Sequence, residues 1–188
     1  MKDLLKGKLV TLVALDVDEV SKHWAEWNRD SEFKRLLDTS PPRLHSAKAI
    51  KDWLDKELTE GKNNLFWFTI RSSADQRLLG DISLEVVHWN HREAFVGLGI
   101  GQRDFWGKGC GTEAMQLILE YAFLELNLHR VTLNVFEYNP RAIRSYEKVG
   151  FRHEGRLRGC LLREGKRWDI LYMGILREEW LNRTAKSE

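Results

Sequence analysis

Three prolines, two cysteines and a net charge of only +2 are the scarcities of this 188-residue chain. Cys110 and Cys160 are too few to build the disulfide framework of a small secreted scaffold. With so little proline and 43% apolar residues, collagen-like and disordered chains are excluded. The apolar run Leu65–Ile70 is far short of the roughly 20 residues that span a bilayer, so no membrane partner is expected. The opening MKDLLKGKLVTL lacks the continuous apolar segment and cleavage site of a secretory leader, and a cytoplasmic protein is expected. Near-balanced charge gives no electrostatic footprint of a DNA binder. The length points to one domain over residues 1–188, with a core large enough to need neither disulfide nor metal.

What charge there is lies unevenly. Residues 141–167 hold nine Lys or Arg against three Glu, whereas residues 1–60 hold eleven basic against twelve acidic. The basic stretch suits an anionic ligand or an ordinary solvated face.

Periodicity sets the organisation. Lys8–Leu15 reads as a strand, and Asp16 caps a helix with Val17, Val20, Trp24 and Trp27 on its apolar face. After Pro41-Pro42, Ser46 caps a second helix that places Ile50, Trp53, Leu54 and Leu58 toward the core. Leu65–Arg71, Leu78–His88 and Glu93–Gly101 alternate as strands, with Ile82, Leu84 and Val86 opposite Asp81, Ser83 and Glu85. A long helix follows Gly107–Gly111. Then come a strand at Val131–Val135, a short helix at Asn139–Val149, and a hairpin of Phe151–Leu162 and Trp168–Ile175. The order β-α-α-β-β-β-α-β-α-β-β predicts a mixed α/β layer fold.

Three features carry chemistry. Gly107-Lys108-Gly109-Cys110-Gly111-Thr112 precedes a helix whose first N–H groups have no partner within it, a ready anion site or a plain strand-to-helix turn. It is not a Walker A loop, because Gln102 and Gly109 stand where Gly and Ser/Thr are needed, and its GxGxG spacing is not the dinucleotide fingerprint. Gly97, Gly99 and Gly101 share one face of their strand, which suggests a thin ligand arm on bare backbone or a β-bulge. Asn139-Pro140 starts a helix that Gly150 ends, and steps of three and four put Asn139, Ala142 and Tyr146 on one stripe, where a tyrosine also reads as core. Cys110 lacks a His or Asp partner for covalent catalysis, and His88 and His91 lack zinc spacing, so no metal is expected.

Trp106–Ala114 paired with Asn139–Phe151 resembles the GNAT superfamily of acetyl-CoA-dependent acyltransferases. Asn127–Val131, Glu154-Gly155 and Arg156-Leu157-Arg158 resemble its RimJ/RimL-type branch of ribosomal-protein N-terminal and spermidine acetyltransferases. The resemblance runs over nearly the whole chain. It implies a GNAT-like mixed, splayed sheet of about seven strands flanked by about four helices, with pantetheine between residues 93–101 and 130–135. It further implies that Gly107, Lys108, Gly109, Cys110, Gly111 and Thr112 hold the pyrophosphate of acetyl-CoA, the co-substrate. Ile100 would present backbone to the pantetheine, Asn139 would bind the cofactor arm, and Tyr146 would be the general acid. The sequence departs from the family at Trp106, where many members carry Gln or Arg, and at Ala142, where others have Ser. Phe95 stands where polyamine-acetylating relatives often carry glutamate.

The acceptor follows from proton chemistry. Deprotonating a lysine-like amine at pH 7 costs about 4.6 kcal/mol, an α-amine only about 1–1.4 kcal/mol. With Phe95 in place of a carboxylate, the expected activity is acetylation of a protein or peptide N-terminal α-amine. Glu85 would serve as base through water, with His88 as a second candidate and Asp169 shaping the acceptor side or the hairpin. Acetylation of spermidine or another small amine is the alternative, and a non-catalytic CoA sensor the further one. The expected partners are the acyl donor and the amine, with a homodimer left open.

Overall fold

A computed structural model describes residues 3–60 and 63–185, so both ends of the expected 1–188 domain lie outside the described residues. The capping residues read from sequence act as caps. Asp16 accepts the Glu19 N–H and starts α1 (Val17–Trp27), and Ser46 accepts the Ala49 N–H and starts α3 (Ala47–Thr59). Between them lies α2 (Ser31–Leu37), a helix outside the expected set, started by Asp30. Strands β1 (Val10–Ala14), β2 (Leu65–Ser72), β3 (Leu78–His88) and β4 (Glu93–Ile100) pair antiparallel in order.

The second half supplies α4 (Cys110–Glu120), a π-helical turn at Tyr121–Glu125, β5 (Arg130–Phe136) and α5 (Pro140–Val149). The chain closes with β6 (Arg152–Arg163), β7 (Lys166–Leu176) and α6 (Arg177–Thr184). Among the described residues there are seven strands and six helices, against the four helices expected; α2 and α6 are the additions. The helix α6 starts directly from the last residue of β7, where Glu179 accepts the Leu176 N–H at 3.1 Å.

The sheet order is β1-β2-β3-β4-β5-β7-β6. Strands β4 and β5 run parallel but pair only over Glu93–Phe95 and Arg130–Thr132, and beyond that they part. One face of the sheet carries the main core, in which Leu117 and Ile118 of α4 pack with Ile82, Val96 and Leu133. The other face carries a smaller cluster of Val20, Trp27, Phe33, Ile50 and Leu54 from α1–α3 with Leu78. Trp53 and Leu58, expected in that core, stay 47% and 44% exposed because α3 turns them to the rim.

The glycine face of β4 is filled by the protein itself. A Cβ on Gly101 would overlap the Trp27 indole, and one on Gly99 would lie 3.1 Å from Leu37 Cδ1. Pairing with β3 is regular from Ile100 to Ala94, so no bulge explains these glycines. The basic 141–167 stretch also divides. Arg156 pairs with Asp169 at 3.0 Å and Arg152 with Glu179 at 2.7 Å, along β6, an edge strand that charge protects from further pairing. Residues 138–164 also hold α2 in place. Tyr138 Oη donates to the Arg35 carbonyl at 2.6 Å, Arg35 pairs with Glu164 at 2.7 Å, and Arg163 donates to the Thr39 carbonyl at 2.8 Å.

Glu113, in the first turn of α4, accepts the backbone N–H groups of Lys8, Leu9 and Val10 at 3.1, 2.7 and 2.8 Å. One carboxylate thus fixes the entry to β1 against the start of α4. Glu113→Ala should lower stability by about 1.5–3 kcal/mol, the usual range for hydrogen bonds to a charged group. Urea denaturation of the purified variant checks this, and an unchanged midpoint would make the contact idle.

Candidate active site

Where β4 and β5 part, a cavity of about 460 Å³ opens. The regular pairing of β3 with β4 turns the backbone of Gly97, Gly99 and Gly101 toward β3, as the Gly101 N–H to Leu79 carbonyl bond shows. By alternation the peptide groups of Val96, Leu98 and Ile100 point into the opening, where β5 no longer meets them.

The loop before α4 forms one end of the cavity. Gly107 and Gly109 have φ of +75° and +88°, the left-handed region that glycine enters without penalty. No side chain caps α4, so its first N–H groups face the cavity end at Gly109, Cys110, Gly111 and Thr112. Cys110 itself is 4% exposed, and its thiol is pushed up in pKa by burial and then by Glu113, which suits a packed residue rather than a nucleophile. Lys108 is not among the lining residues; its ammonium lies 5.3 Å from the Phe105 ring centre.

Helix α5 forms the facing wall. Asn139 lines the cavity while its Oδ1 accepts the Ala142 N–H at 3.2 Å, so the residue expected on the cofactor arm is also the helix cap. Thr112 and Ser145 share a hydroxyl hydrogen bond of 2.7 Å that joins α4 to α5. Tyr146 projects into the same cavity with its ring edge-on to Phe151 at 6.1 Å, and burial alone pushes its phenol up to about 12. Arg141, Arg144 and Lys148 also line this wall, so three of the nine basic residues of the stretch reach the site.

Trp106 closes the corner between loop and strand. Its indole N–H donates to the Ile100 carbonyl at 2.6 Å, so that carbonyl already has a partner while the Ile100 N–H still faces the opening. The guanidinium carbons of Arg141 and Arg103 lie 3.8 and 4.7 Å from the indole ring centre. Arg103 in turn pairs with Asp30 and Glu32, both at 2.7 Å through Nη2. The sequence signalled the loss of a side-chain donor at Trp106; the bracket that replaces it could not be read from one position.

The far side of the cavity is apolar. Phe33, Leu36 and Leu37 of α2 meet Phe95 of β4 and Phe136 of β5, and no Asp or Glu is among the described lining residues. The α2 contribution escaped sequence reading, although Asp30 before Ser31 is a recognisable cap. Glu85 is exposed on β3, opposite Phe95 in the pairing, and does not line the cavity. His88 lies 3.6 Å from Glu93 and stacks on His91 at 5.6 Å, outside the cavity. Asp169 is held in the hairpin by Arg156 and by the Gly159 N–H at 2.8 Å. No helix among the described residues is long and apolar enough to cross a membrane.

A family model described as acetyltransferase (GNAT) domain matches residues 9–152. The chain is 34% identical over 139 residues to a spermidine N(1)-acetyltransferase of Vibrio cholerae, covering 74% of this chain and 78% of the relative. It is 36% identical over 106 residues to YdaF of Bacillus subtilis, named as a ribosomal N-acetyltransferase, covering 56% and 57% of the two chains. The crystal structure of spermidine N-acetyltransferase from Vibrio cholerae in complex with CoA and spermine superposes with a TM-score of 0.81 at 26% identity, over 94% of this chain and all of that one.

The buried phenol yields a direct test. In the unfolded chain a tyrosine ionises near 10, whereas the folded Tyr146 holds its proton to about 12. The contribution of that proton to stability is complete below pH 10 and is lost as pH rises toward 12. The ultraviolet difference titration between wild type and Tyr146→Phe should therefore show no phenolate from this residue below pH 10. A transition near 10 would mean that the ring is solvated.

Proposed function

The chain belongs to the GNAT acetyltransferase family and is an acetyl-CoA-dependent N-acetyltransferase, and we propose that its acceptor is the α-amine of a peptide or protein N-terminus. The observation that carries this reading is the acceptor side of the cavity. Phe33, Leu36, Leu37, Phe95 and Phe136 offer apolar surface to a side chain and no lining carboxylate to a polycation. An α-amine also needs little help to reach its neutral, nucleophilic form at pH 7.

In this proposal the loop N–H groups from Gly107 to Thr112 and the basic residues Arg141, Arg144 and Lys148 receive the phosphates of the donor. The free edge of β4 at Leu98 and Ile100 pairs with the extended arm, and Asn139 flanks it. The amine nitrogen forms a bond to the thioester carbonyl carbon, and the C–S bond then breaks to release a thiolate. Tyr146 is the group aimed at that sulfur. With the phenol near 12 and a thiol near 8.5, full transfer is uphill by about 5 kcal/mol. The phenol therefore serves first as a hydrogen-bond donor to the growing thiolate and yields its proton late. The ammonium proton leaves through water, with Glu85 beside Phe95 as the proposed end of the route.

A second reading, acetylation of spermidine, is favoured by the relative of that name and by its likeness in structure. A CoA-release assay on apolar N-terminal peptides, N-terminally blocked lysine peptides and spermidine separates the two. The peptides with a free apolar N-terminus should show the highest kcat/KM, and mass mapping should place the acetyl group on the first nitrogen. Efficient turnover of spermidine with inert peptides would replace the proposed acceptor.

Tyr146→Phe should lower kcat by about 10²–10⁴-fold with little change in acetyl-CoA affinity. Wild-type kcat in a single-turnover experiment would return Tyr146 to a packing role.

A further inference from the structure

A second cavity of about 340 Å³ lies on the α1–α3 side of the sheet, outside the splay. Its walls include Trp24 of α1 and Trp53 of α3, and Phe33 and Leu37 separate it from the first cavity. Trp24 and Trp53 belong to a triangle with Trp67, their ring centres 5.6–6.0 Å apart. Asp81 forms the floor. One of its carboxylate oxygens accepts the Trp67 indole N–H at 3.0 Å, and Trp24 lines the same cavity.

The acetyl-transfer chemistry has no use for this carboxylate. Burial raises its pKa to about 6, so at neutral pH a carboxylate stands in an aromatic pocket with the Trp67 N–H as its donor. The other charged or titratable groups facing the cavity are Lys34 and His45, and the Lys34 ammonium is drawn to Asp38 at 3.9 Å. Trp53, 47% exposed, stands at the rim with its ring still in contact with the cluster.

The chemistry of the walls selects the occupant. An anion would meet Asp81. A bare metal ion would find one carboxylate, and no cluster of three His, Cys, Asp or Glu exists among the described residues. A neutral apolar molecule would displace water from the carboxylate and leave it only the Lys34 ammonium, itself 3.9 Å from Asp38, as counter-charge. A cation clothed in methyl or methylene groups satisfies both indole faces and the carboxylate. We propose that this cavity is a binding site for a small organic ammonium ion, held by the faces of Trp24 and Trp53 and by the Asp81 carboxylate. The site is independent of which amine the enzyme acetylates.

The test is calorimetric titration of the CoA-free protein with choline and with its neutral isostere 3,3-dimethylbutan-1-ol. Choline should bind saturably, and the isostere about tenfold more weakly or not at all. Asp81→Asn should weaken choline binding by about tenfold, and Trp53→Ala by about three- to tenfold, with CoA affinity and melting behaviour retained. The site is refuted by absence of saturable choline binding to folded wild type. Equal affinity for the isostere, or an Asp81→Asn protein that binds as wild type does, refutes it too. Should Asp81→Asn fail to fold, the isostere comparison and the rim variant Trp53→Ala decide alone. Because the readout is binding without acetyl donor, its outcome is separate from that of the acceptor assay.

Discussion

The parting of β4 from β5 is the constraint on which the rest of this molecule depends. Two parallel strands pair over three residues and then separate, which leaves peptide groups of β4 without the partner that a sheet would supply. Buried backbone groups of this kind must find another partner. Trp106 provides one at the Ile100 carbonyl, and the others face the cavity, open to a ligand. The Thr112–Ser145 hydroxyl pair and the stacking of Arg141 on Trp106 span the same gap from α4 and its loop to α5. The gap is thus a held shape rather than a packing fault.

The two ends of that gap differ in dielectric and in charge. The loop end is lined by peptide N–H groups, with three basic side chains on the facing helix. Elsewhere the lining is apolar, made of aromatic and leucine side chains from α2, β4 and β5. The first suits an anionic group by electrostatics, the second an apolar one by shape and contact. Tyr146 lies between these regimes, and the burial that raises its pKa also keeps its proton in place at every pH at which the enzyme would work.

Much of this was legible in the residues. Asp16, Ser46 and the Asn139-Pro140 to Gly150 frame mark their helices because caps are local chemistry. The strands around Ile82 and Val96 announce themselves by alternation, and the two motifs at 106–114 and 139–151 point to the cavity they line. Other features depend on tertiary contacts. The seven residues of α2 are too few for a periodic signal, and α6 grows out of a strand with Leu176 where a polar cap would be sought. The glycines of β4 suggest a ligand arm or a bulge, but Trp27 stands over Gly101 and Leu37 over Gly99. Asp81 alternates like a solvent-facing residue, yet it accepts the Trp67 indole N–H and lines a cavity with Trp24 and Trp53, tryptophans from distant segments.

The anchoring of α2 has a consequence for how the chain assembles. Its ties to Tyr138, Arg163 and Glu164 run more than 100 positions along the sequence, and those of Glu32 and the cap Asp30 to Arg103 more than 70. Closing loops of that length carries a large entropic cost that local helix formation cannot offset, least of all for a helix of two turns. The apolar wall that α2 contributes is therefore among the last parts to become ordered. On a ribosome, α2 gains its last ties only once the C-terminal hairpin has emerged, so a nascent chain holds the glycine loop before that apolar wall is complete.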